Sequence, residues 1–271
     1  MQERSQWTFS FARPAKYTSI VNAYLERIGL GGRTLAADIS SLKLLQRSHL
    51  LAVPFENLNI HWKRPIELDT KRFYSKIVEQ KRGGFCYELN GLFNVLLREL
   101  GFQTRLISGR VFNGTEHGPE FDHAAIVVTI GAEEYLTDVG FGAFTATPLR
   151  LELDAVQDDP NGKFVIRRFD DIYLEVAKLE AETWRSEYIF QDLARDLSEF
   201  KEMCDFQQYS PDSHFRKGKL CSIMTDNGRK TLTDKSFLVT HNGTKRETPV
   251  DGDDAFYSIL RAEFGIEAAK V

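Results

Sequence analysis

The sequence predicts an α+β fold in which helices come first and an antiparallel sheet follows. Up to Gly101, apolar residues recur at the three- and four-residue spacing of one helix face. After Gly101, short alternating segments are separated by turns rich in glycine, aspartate and asparagine, which is typical of antiparallel strands. A sheet built from such segments can curl into a barrel. Hairpins and a final amphipathic helix follow.

Four helices are predicted in the first part of the chain. Between the second and third helices, Val53–Leu58 is a connector, because Pro54 disfavours helix at the residue before it. Glycines at 29 and 101 end the first and fourth helices. The four apolar faces are Ile20, Tyr24, Leu25 and Ile28; Ile39, Leu42 and Leu45; Phe73 and Ile77; and Leu89, Leu92, Phe93, Leu96, Leu97 and Leu100.

The strands are predicted from alternation and turn signals. Six of them lie at Thr104–Phe112, His123–Ile130, Glu134–Val139, Lys163–Arg168, Ile172–Ala177 and Thr183–Phe190. A helical or irregular stretch follows over 192–206. Four more strands lie at Leu220–Thr225, Lys230–Thr233, Phe237–His241 and Lys245–Pro249, with hairpin turns at Asp226-Asn227-Gly228 and Asn242-Gly243. Acidic residues from Asp251 cap the last helix.

The composition is that of an ordinary globular protein. The 271 residues are 42% hydrophobic and 27% charged, with a net charge of −4. This length predicts two or three sub-domains, and the charge gives no reason to expect a nucleic acid or an anionic membrane as partner. The first twenty residues lack the apolar region of a secretory signal, and no apolar stretch is long enough to span a membrane. We therefore expect a cytoplasmic protein; its oligomeric state stays open.

Among the three cysteines, Cys86 stands out. It follows Gly83-Gly84 and directly precedes a helical pattern, whereas Cys204 and Cys221 have no glycine-rich approach and look structural. A helix N-terminus favours the thiolate, which is the nucleophilic form, and the glycines let another segment or a substrate come close. The alternative is a buried structural cysteine. With no CxxC spacing and no zinc-type Cys/His cluster, we expect free thiols and no metal.

An imidazole and a carboxylate are expected close together on the predicted sheet. His123 begins one strand and Asp138 ends the next. If the turn is centred between Ile130 and Gly131, the two residues face each other directly. If Gly131 and Ala132 form the loop, the pair is diagonal. Both registers place the two side chains on one face, because residues two apart share a face.

Together with Cys86, this pair has the parts of a nucleophilic triad. Cys86 supplies the sulfur, His123 takes its proton and later protonates a leaving group, and Asp138 holds the imidazole tautomer. Each residue also has a structural alternative, such as an Asx turn for Asp138. His117 is a competing base, but it lies in a polar loop with no acid paired to it.

The chain resembles the arylamine N-acetyltransferases, and the bacterial members most. The matching segments are Val53–Leu58 (VPFENL), Arg82–Cys86 (RGGFC), His123 on its strand, Asp138–Gly142 (DVGFG) and Ser210–Phe215 (SPDSHF). They occur in the family's order, and the similarity covers nearly the whole chain. RGGFC and DVGFG together are specific, although either alone would be weak.

The resemblance implies three parts around a cysteine-protease-like catalytic core. These are a helical bundle over 1–101 that carries the cysteine, a β-barrel over 102–195 that carries the histidine and aspartate, and an α/β lid over 196–271. It also implies a ping-pong acyltransferase of xenobiotic metabolism. Acetyl-coenzyme A would acetylate Cys86, and the acetyl group would pass to an arylamine, arylhydrazine or N-hydroxyarylamine.

The resemblance also assigns roles to residues around the triad. Phe55 and Phe141 would line the acceptor pocket, and Gly142 would leave backbone room beside the sulfur. Glu56 and Arg82 would form the ion pair that holds the cysteine loop, although two solvated charges are the simpler reading of the sequence alone. The backbone N–H of the cysteine is a candidate oxyanion donor. Without a P-loop or Rossmann pattern, coenzyme A recognition would be built from the cleft between barrel and lid.

Other functions stay open. Thiol hydrolases and transglutaminase-like enzymes share the Cys–His–Asp order, and an amide synthase of a biosynthetic pathway would use the same triad with a carrier-bound acyl chain. A binding module with a degenerate triad is disfavoured, because all three residues are present. Asp122 departs from the family pattern, in which many relatives carry a small polar or apolar residue. Strand alternation points it away from the face of His123, so we expect Asp122 at the surface.

Overall fold

The computed structural model describes residues 18–267. The helices in this range are α1 Ser19–Arg27, α2 Ile39–Ala52, α3 Leu58–His61, α4 Thr70–Tyr74, α5 Cys86–Glu99, α6 Lys201–Tyr209 and α7 Gly252–Phe264. A π turn lies at Ser75–Glu79, and 3₁₀ turns lie at Leu197–Phe200 and His214–Arg216. Within this range, no helix has the length and apolar character that crossing a membrane requires. The expectation about an export signal falls mainly on residues 1–17, outside the described residues.

The four predicted N-terminal helices are present and begin where side chains can cap them. Thr18 Oγ1 accepts from the Val21 N–H at 3.4 Å at the start of α1, and Asp38 Oδ1 accepts from the Ser41 N–H at 2.8 Å at the start of α2. The third predicted helix is α4, which continues directly into the π turn. The sequence did not reveal α3, because four residues are too few to show a helical period.

The strands in the same range form two antiparallel sheets. They are β1 Phe55–Glu56, β2 Gln103–Val111, β3 His123–Ile130, β4 Glu133–Thr137, β5 Leu149–Arg150, β6 Gln157–Asp159, β7 Gly162–Arg168, β8 Leu174–Glu180, β9 Thr183–Phe190, β10 Leu220–Thr225, β11 Gly228–Thr233, β12 Ser236–His241 and β13 Thr244–Pro249. One sheet has the order β5-β4-β3-β2-β9-β8-β7-β6 and is nearly closed into a barrel. The predicted α+β class with an antiparallel barrel is confirmed.

The hairpin between β3 and β4 decides between the two registers. Ile130 pairs with Glu133, so Gly131 and Ala132 form the loop and the second register is confirmed. Gly131 has a φ of +63°, which a glycine adopts readily. The short strands β5 and β6 were not predicted, because two or three residues show no alternation.

The second sheet joins distant parts of the chain. Its order is β1-β10-β11-β12-β13, and β1 comes from the connector between α2 and α3. Phe55 pairs with Ser222 of β10 and forms a bridge to Gly84, in the loop before α5. Buried side chains of α7 and of α3 pack against this sheet. The connector, the loop before α5 and the C-terminal sheet therefore meet at β1.

We predict that Gly228→Ala destabilises the second sheet more than Gly243→Ala does. A Cβ at Gly228 would lie 2.0 Å from the Thr240 carbonyl oxygen, whereas at Gly243 no atom lies within 4 Å. Both glycines have a positive φ, so backbone strain does not separate the two variants. Overpacking adds about 1–3 kcal/mol, and it applies only at Gly228. Urea unfolding measures both variants, and equal midpoints would contradict this account.

Candidate active site

Cys86 is the first residue of α5 and is buried. The loop before Cys86 packs closely against the connector. A Cβ at Gly83 would lie only 2.0 Å from the Pro54 carbonyl oxygen, so only glycine fits there. The Glu56 N–H donates to the Gly84 carbonyl oxygen at 2.8 Å. The close approach that the two glycines allow is therefore made by a segment of this chain.

Four buried charges hold this loop. Arg82 Nη2 lies 2.6 Å from Glu56 Oε1, and Lys76 Nζ lies 2.8 Å from Glu88 Oε2 and 3.4 Å from Glu56 Oε1. Burial acts to raise the pKa of Glu56, but Lys76 and Arg82 outweigh it and hold that pKa below its usual value. Glu88 Oε2 also accepts from the N–H of Phe85, the residue before Cys86, at 3.1 Å. Sequence reasoning found Arg82 and Glu56 but missed Lys76 and Glu88.

His123 and Asp138 form a buried pair in the barrel. His123 Nε2 lies 2.6 Å from Asp138 Oδ2. The Tyr188 hydroxyl donates to the same oxygen at 3.3 Å, and the Gly140 N–H donates to Asp138 Oδ1 at 2.8 Å. These donors stabilise the carboxylate away from water. Because Nε2 is engaged by the carboxylate, Nδ1 is the ring nitrogen available to a reacting group.

Asn90 links the cysteine helix to this pair, and the sequence analysis missed it. Its Nδ2 donates to Asp138 Oδ1 at 2.8 Å and to the Ala124 carbonyl oxygen at 2.6 Å, and its Oδ1 accepts from the Val139 N–H at 3.0 Å. Asn90 lies one turn after Cys86 on the same face of α5. The signal that could have found it is a polar residue one helical turn after the candidate nucleophile, in a helix that is mostly apolar.

The thiol of Cys86 is not activated by its helix position alone. Burial raises the pKa of Cys86 well above its usual value, and the charges of Asp122 and Asp138 add to the rise, while a hydrogen bond from the Ala124 backbone opposes it. This direction is opposite to the lowering that a helix N-terminus predicts, and its largest cause is the loss of solvent around the buried thiol. A thiolate therefore forms when a base takes the proton.

An apolar cavity brings the predicted residues together. It has a volume of about 320 Å³. Cys86, His123, Phe55 and Phe141 line it, whereas Asp138 supports His123 from behind. The Phe141 ring lies edge-on to the His123 ring, with 5.0 Å between the centroids. A base and an aromatic wall thus line the same cavity as the sulfur.

Two glycines after Asp138 have different roles. A Cβ at Gly140 would lie 2.8 Å from Cys86 Cα, so Gly140 is the glycine that allows close packing on the cysteine. Gly142 lines the cavity with a φ of +70°, and no atom lies within 4 Å of a Cβ built there. Gly142 keeps space open in the cavity that Cys86 also lines, and that it leaves backbone room beside the sulfur stays a prediction.

The expectation that Asp122 lies at the surface is wrong. Asp122 precedes the start of β3, after Phe121 with a φ of +63°, so strand alternation does not govern its direction. Its side chain lines the cavity, and its Oδ1 accepts from Gln207 Nε2 at 2.7 Å. Burial raises the pKa of Asp122, while His123 and His214 act to lower it.

The other candidates lie elsewhere. His117 bonds Ser186 Oγ at 2.9 Å and is not among the residues that line the cavity. Cys204 and Cys221 are buried and free, and neither lines it. Within residues 18–267, no group of three or more His, Cys, Asp or Glu side chains is arranged to hold a metal ion. That the reaction needs no metal stays a prediction.

Comparison with known proteins gives a consistent picture. An N-acetyltransferase family model matches residues 38–271. The arylamine N-acetyltransferase of Escherichia coli (strain K12) is 35% identical over 254 residues, which is 92% of this chain and 89% of that protein. The solved arylamine N-acetyltransferase from Salmonella typhimurium has a TM-score of 0.88 at 30% identity, with 94% of each chain covered. The Mycobacterium marinum arylamine N-acetyltransferase in complex with CoA has a TM-score of 0.83 at 29% identity, with 91% of this chain and 92% of that chain covered.

We predict that Asn90→Ala lowers the free energy of unfolding by about 1–3 kcal/mol, because it leaves buried groups without partners. It should also slow the alkylation of Cys86 by iodoacetamide at pH 7, since the carboxylate that holds His123 is no longer fixed. Asn94→Ala is the matched control, because Asn94 lies on the same helix but bonds Thr104 instead. Equal effects of the two substitutions on alkylation would contradict a role for Asn90 in the site.

Proposed function

Because the chain belongs to the arylamine N-acetyltransferase family, we propose that it transfers acetyl groups from acetyl-coenzyme A to aromatic amines through an acetyl-Cys86 thioester. One observation carries the proposal: Cys86 and His123 line one apolar cavity, and Asp138 bonds His123 from behind. Membership of this family identifies the protein as an acyltransferase. The donor is supported by the CoA complex of the M. marinum relative.

In the first half-reaction, His123 acts as the base. Asp138 at Nε2 assigns the proton of the neutral ring to that nitrogen, which leaves Nδ1 to accept the thiol proton. The carboxylate then stabilises the imidazolium. Since burial raises the pKa of Cys86, this proton transfer is what provides the thiolate. The sulfur attacks the acetyl carbonyl, the imidazolium protonates coenzyme A sulfur, and coenzyme A leaves.

The tetrahedral intermediate needs donors for its oxygen. As the first residue of α5, Cys86 has a backbone N–H without a partner inside the helix, and it lies at the positive end of the helix dipole. We assign this N–H as one oxyanion donor. A donor placed where charge develops lowers the barrier more than it favours the substrate.

In the second half-reaction, an amine nitrogen attacks the thioester. Phe55 and Phe141 offer ring surfaces on which a flat acceptor can stack, and the cavity of about 320 Å³ suits a single substituted ring. His123 takes the proton from the attacking nitrogen, and the thiolate of Cys86 leaves. Glu56 and Arg82 support the cysteine loop and touch no reactant.

The wider arrangement follows from the same proposal. Residues 1–101 would carry the nucleophile, 102–195 the base and the carboxylate, and 196–271 the lid. A cytoplasmic location suits a free thiol nucleophile, and Cys86, Cys204 and Cys221 are all unpaired. A thiol hydrolase or an amide synthase of a biosynthetic pathway would use the same triad, and the fate of the thioester separates these classes.

The first prediction concerns the acyl-enzyme. Mixing the protein with acetyl-coenzyme A should add one acetyl group, about 42 Da, to Cys86, and an arylamine should remove it as acetylated amine appears. Intact-mass spectrometry measures both steps. Cys86→Ala should bind no acetyl group while keeping its fold. Loss of the adduct to water at the same rate with and without amine would indicate a hydrolase, and absence of the adduct would indicate a different acyl donor.

The second prediction concerns the carboxylate. Asp138→Asn should keep the fold but lower kcat by roughly 10⁴, because an amide holds the wrong tautomer of the imidazole. Asp226→Asn is a control that removes an exposed aspartate, which pairs with Arg47 far from the triad in sequence, and it should retain activity. Steady-state acetylation and circular dichroism give the two readouts. Turnover like that of the native protein in Asp138→Asn would remove Asp138 from the mechanism.

A further inference from the structure

Arg229 brings a positive charge into the cavity from the C-terminal sheet. It lies on β11 and lines the same cavity as Cys86 and His123. Its Nη1 donates to Ser222 Oγ at 3.0 Å, and its Nη2 donates to the Gly142 carbonyl oxygen at 2.5 Å. These two neutral acceptors engage two of the N–H groups of the guanidinium, and its other N–H groups remain available to a ligand.

Among the residues that the structure describes, no carboxylate pairs with this guanidinium. Among the ion pairs within residues 18–267, none within 4.0 Å includes Arg229. Burial lowers the pKa of Arg229 to about 10, so the group stays cationic at neutral pH. The buried cations Lys76 and Arg82, in contrast, face Glu56. A half-buried charge without a counter-ion in an apolar cavity gains from a bound anion.

The carboxylate of the cavity does not fill this role. Asp122 accepts from Gln207, and the charges that act on its pKa are those of His123 and His214. Asp122 and Arg229 form no ion pair. The two charged side chains therefore lie in different parts of the cavity. Asp122 lies near His123, and Arg229 lies on the C-terminal sheet, where it bonds Gly142.

We propose that Arg229 binds an anionic substituent on the acceptor, so that aromatic amines carrying an acid group are preferred over neutral amines of the same shape. The acceptor ring lies against Phe141, its amine points to Cys86 and His123, and its acid points to Arg229. The opposite orientation brings the acid towards Asp122, which repels it. This inference rests on the proposed acetyl transfer and deepens it.

The test compares 4-aminobenzoate with 4-aminobenzamide, which has the same shape without the charge. In the native protein, kcat/KM should favour the acid. Arg229→Gln should lower the acid-to-amide ratio about tenfold to hundredfold, mainly through the KM of the acid, because a charge-assisted pair is lost. Arg229→Lys should retain part of the preference. Lys230→Gln is the matched control, since Lys230 is the next residue on β11 and pairs with Glu263 outside the cavity.

Two outcomes would overturn the proposal. If Arg229→Gln slows both acceptors equally, Arg229 only positions the Gly142 loop. If the acid-to-amide ratio stays constant while the KM of acetyl-coenzyme A rises, the anion is a phosphate of the donor and not the acceptor. Acetylation of Cys86, followed by mass spectrometry in each variant, tests the proposed function separately, because it requires no acceptor.

Discussion

The carboxylate of Asp138 is buried where the cysteine helix meets the barrel, and the geometry of the site depends on its hydrogen bonds. Asn90 reaches it from α5, His123 from β3 and Tyr188 from β9. A buried carboxylate is tolerated only when hydrogen-bond donors surround it. Helix α5 and strands β3 and β9 must therefore each lie at a fixed distance from Asp138. The interaction that orients the imidazole is therefore also one that joins the helical part to the barrel.

Charged side chains occur in two different environments in this protein. Behind the cysteine loop, Lys76 and Arg82 meet Glu56 and Glu88, and the balanced set is closed to solvent. In the cavity, the partners of Arg229 among residues 18–267 are neutral. The balanced set fixes the backbone, because breaking it would leave a buried charge unpaired. The guanidinium of Arg229 can therefore pair with an anionic group of a ligand.

The sequence was informative where neighbours along the chain decide the structure. Helix periods, the Asn242-Gly243 turn and the placement of His123 and Asp138 on one sheet face follow from local pattern, whereas the choice between their two registers came from the structure. The family motifs named the cavity residues Phe55 and Phe141. Contacts between distant segments were not readable. Asp122 was misplaced because one residue before a strand the alternation no longer holds, and Lys76, Asn90 and Arg229 acquire their roles only from partners brought together by the fold.

β1 has only two residues, yet through it the cavity depends on strands that come much later in the chain. Its partner in the sheet is β10, and the carbonyl group of Gly142 is bonded by Arg229 on β11. A ribosome delivers the helical part and the barrel first, and domains generally fold as they emerge. Until β10 and β11 follow, a nascent chain holds its nucleophile, base and carboxylate but lacks one wall around them. Acyl transfer to a selected acceptor can begin only after β10 and β11 have been synthesised and have joined β1.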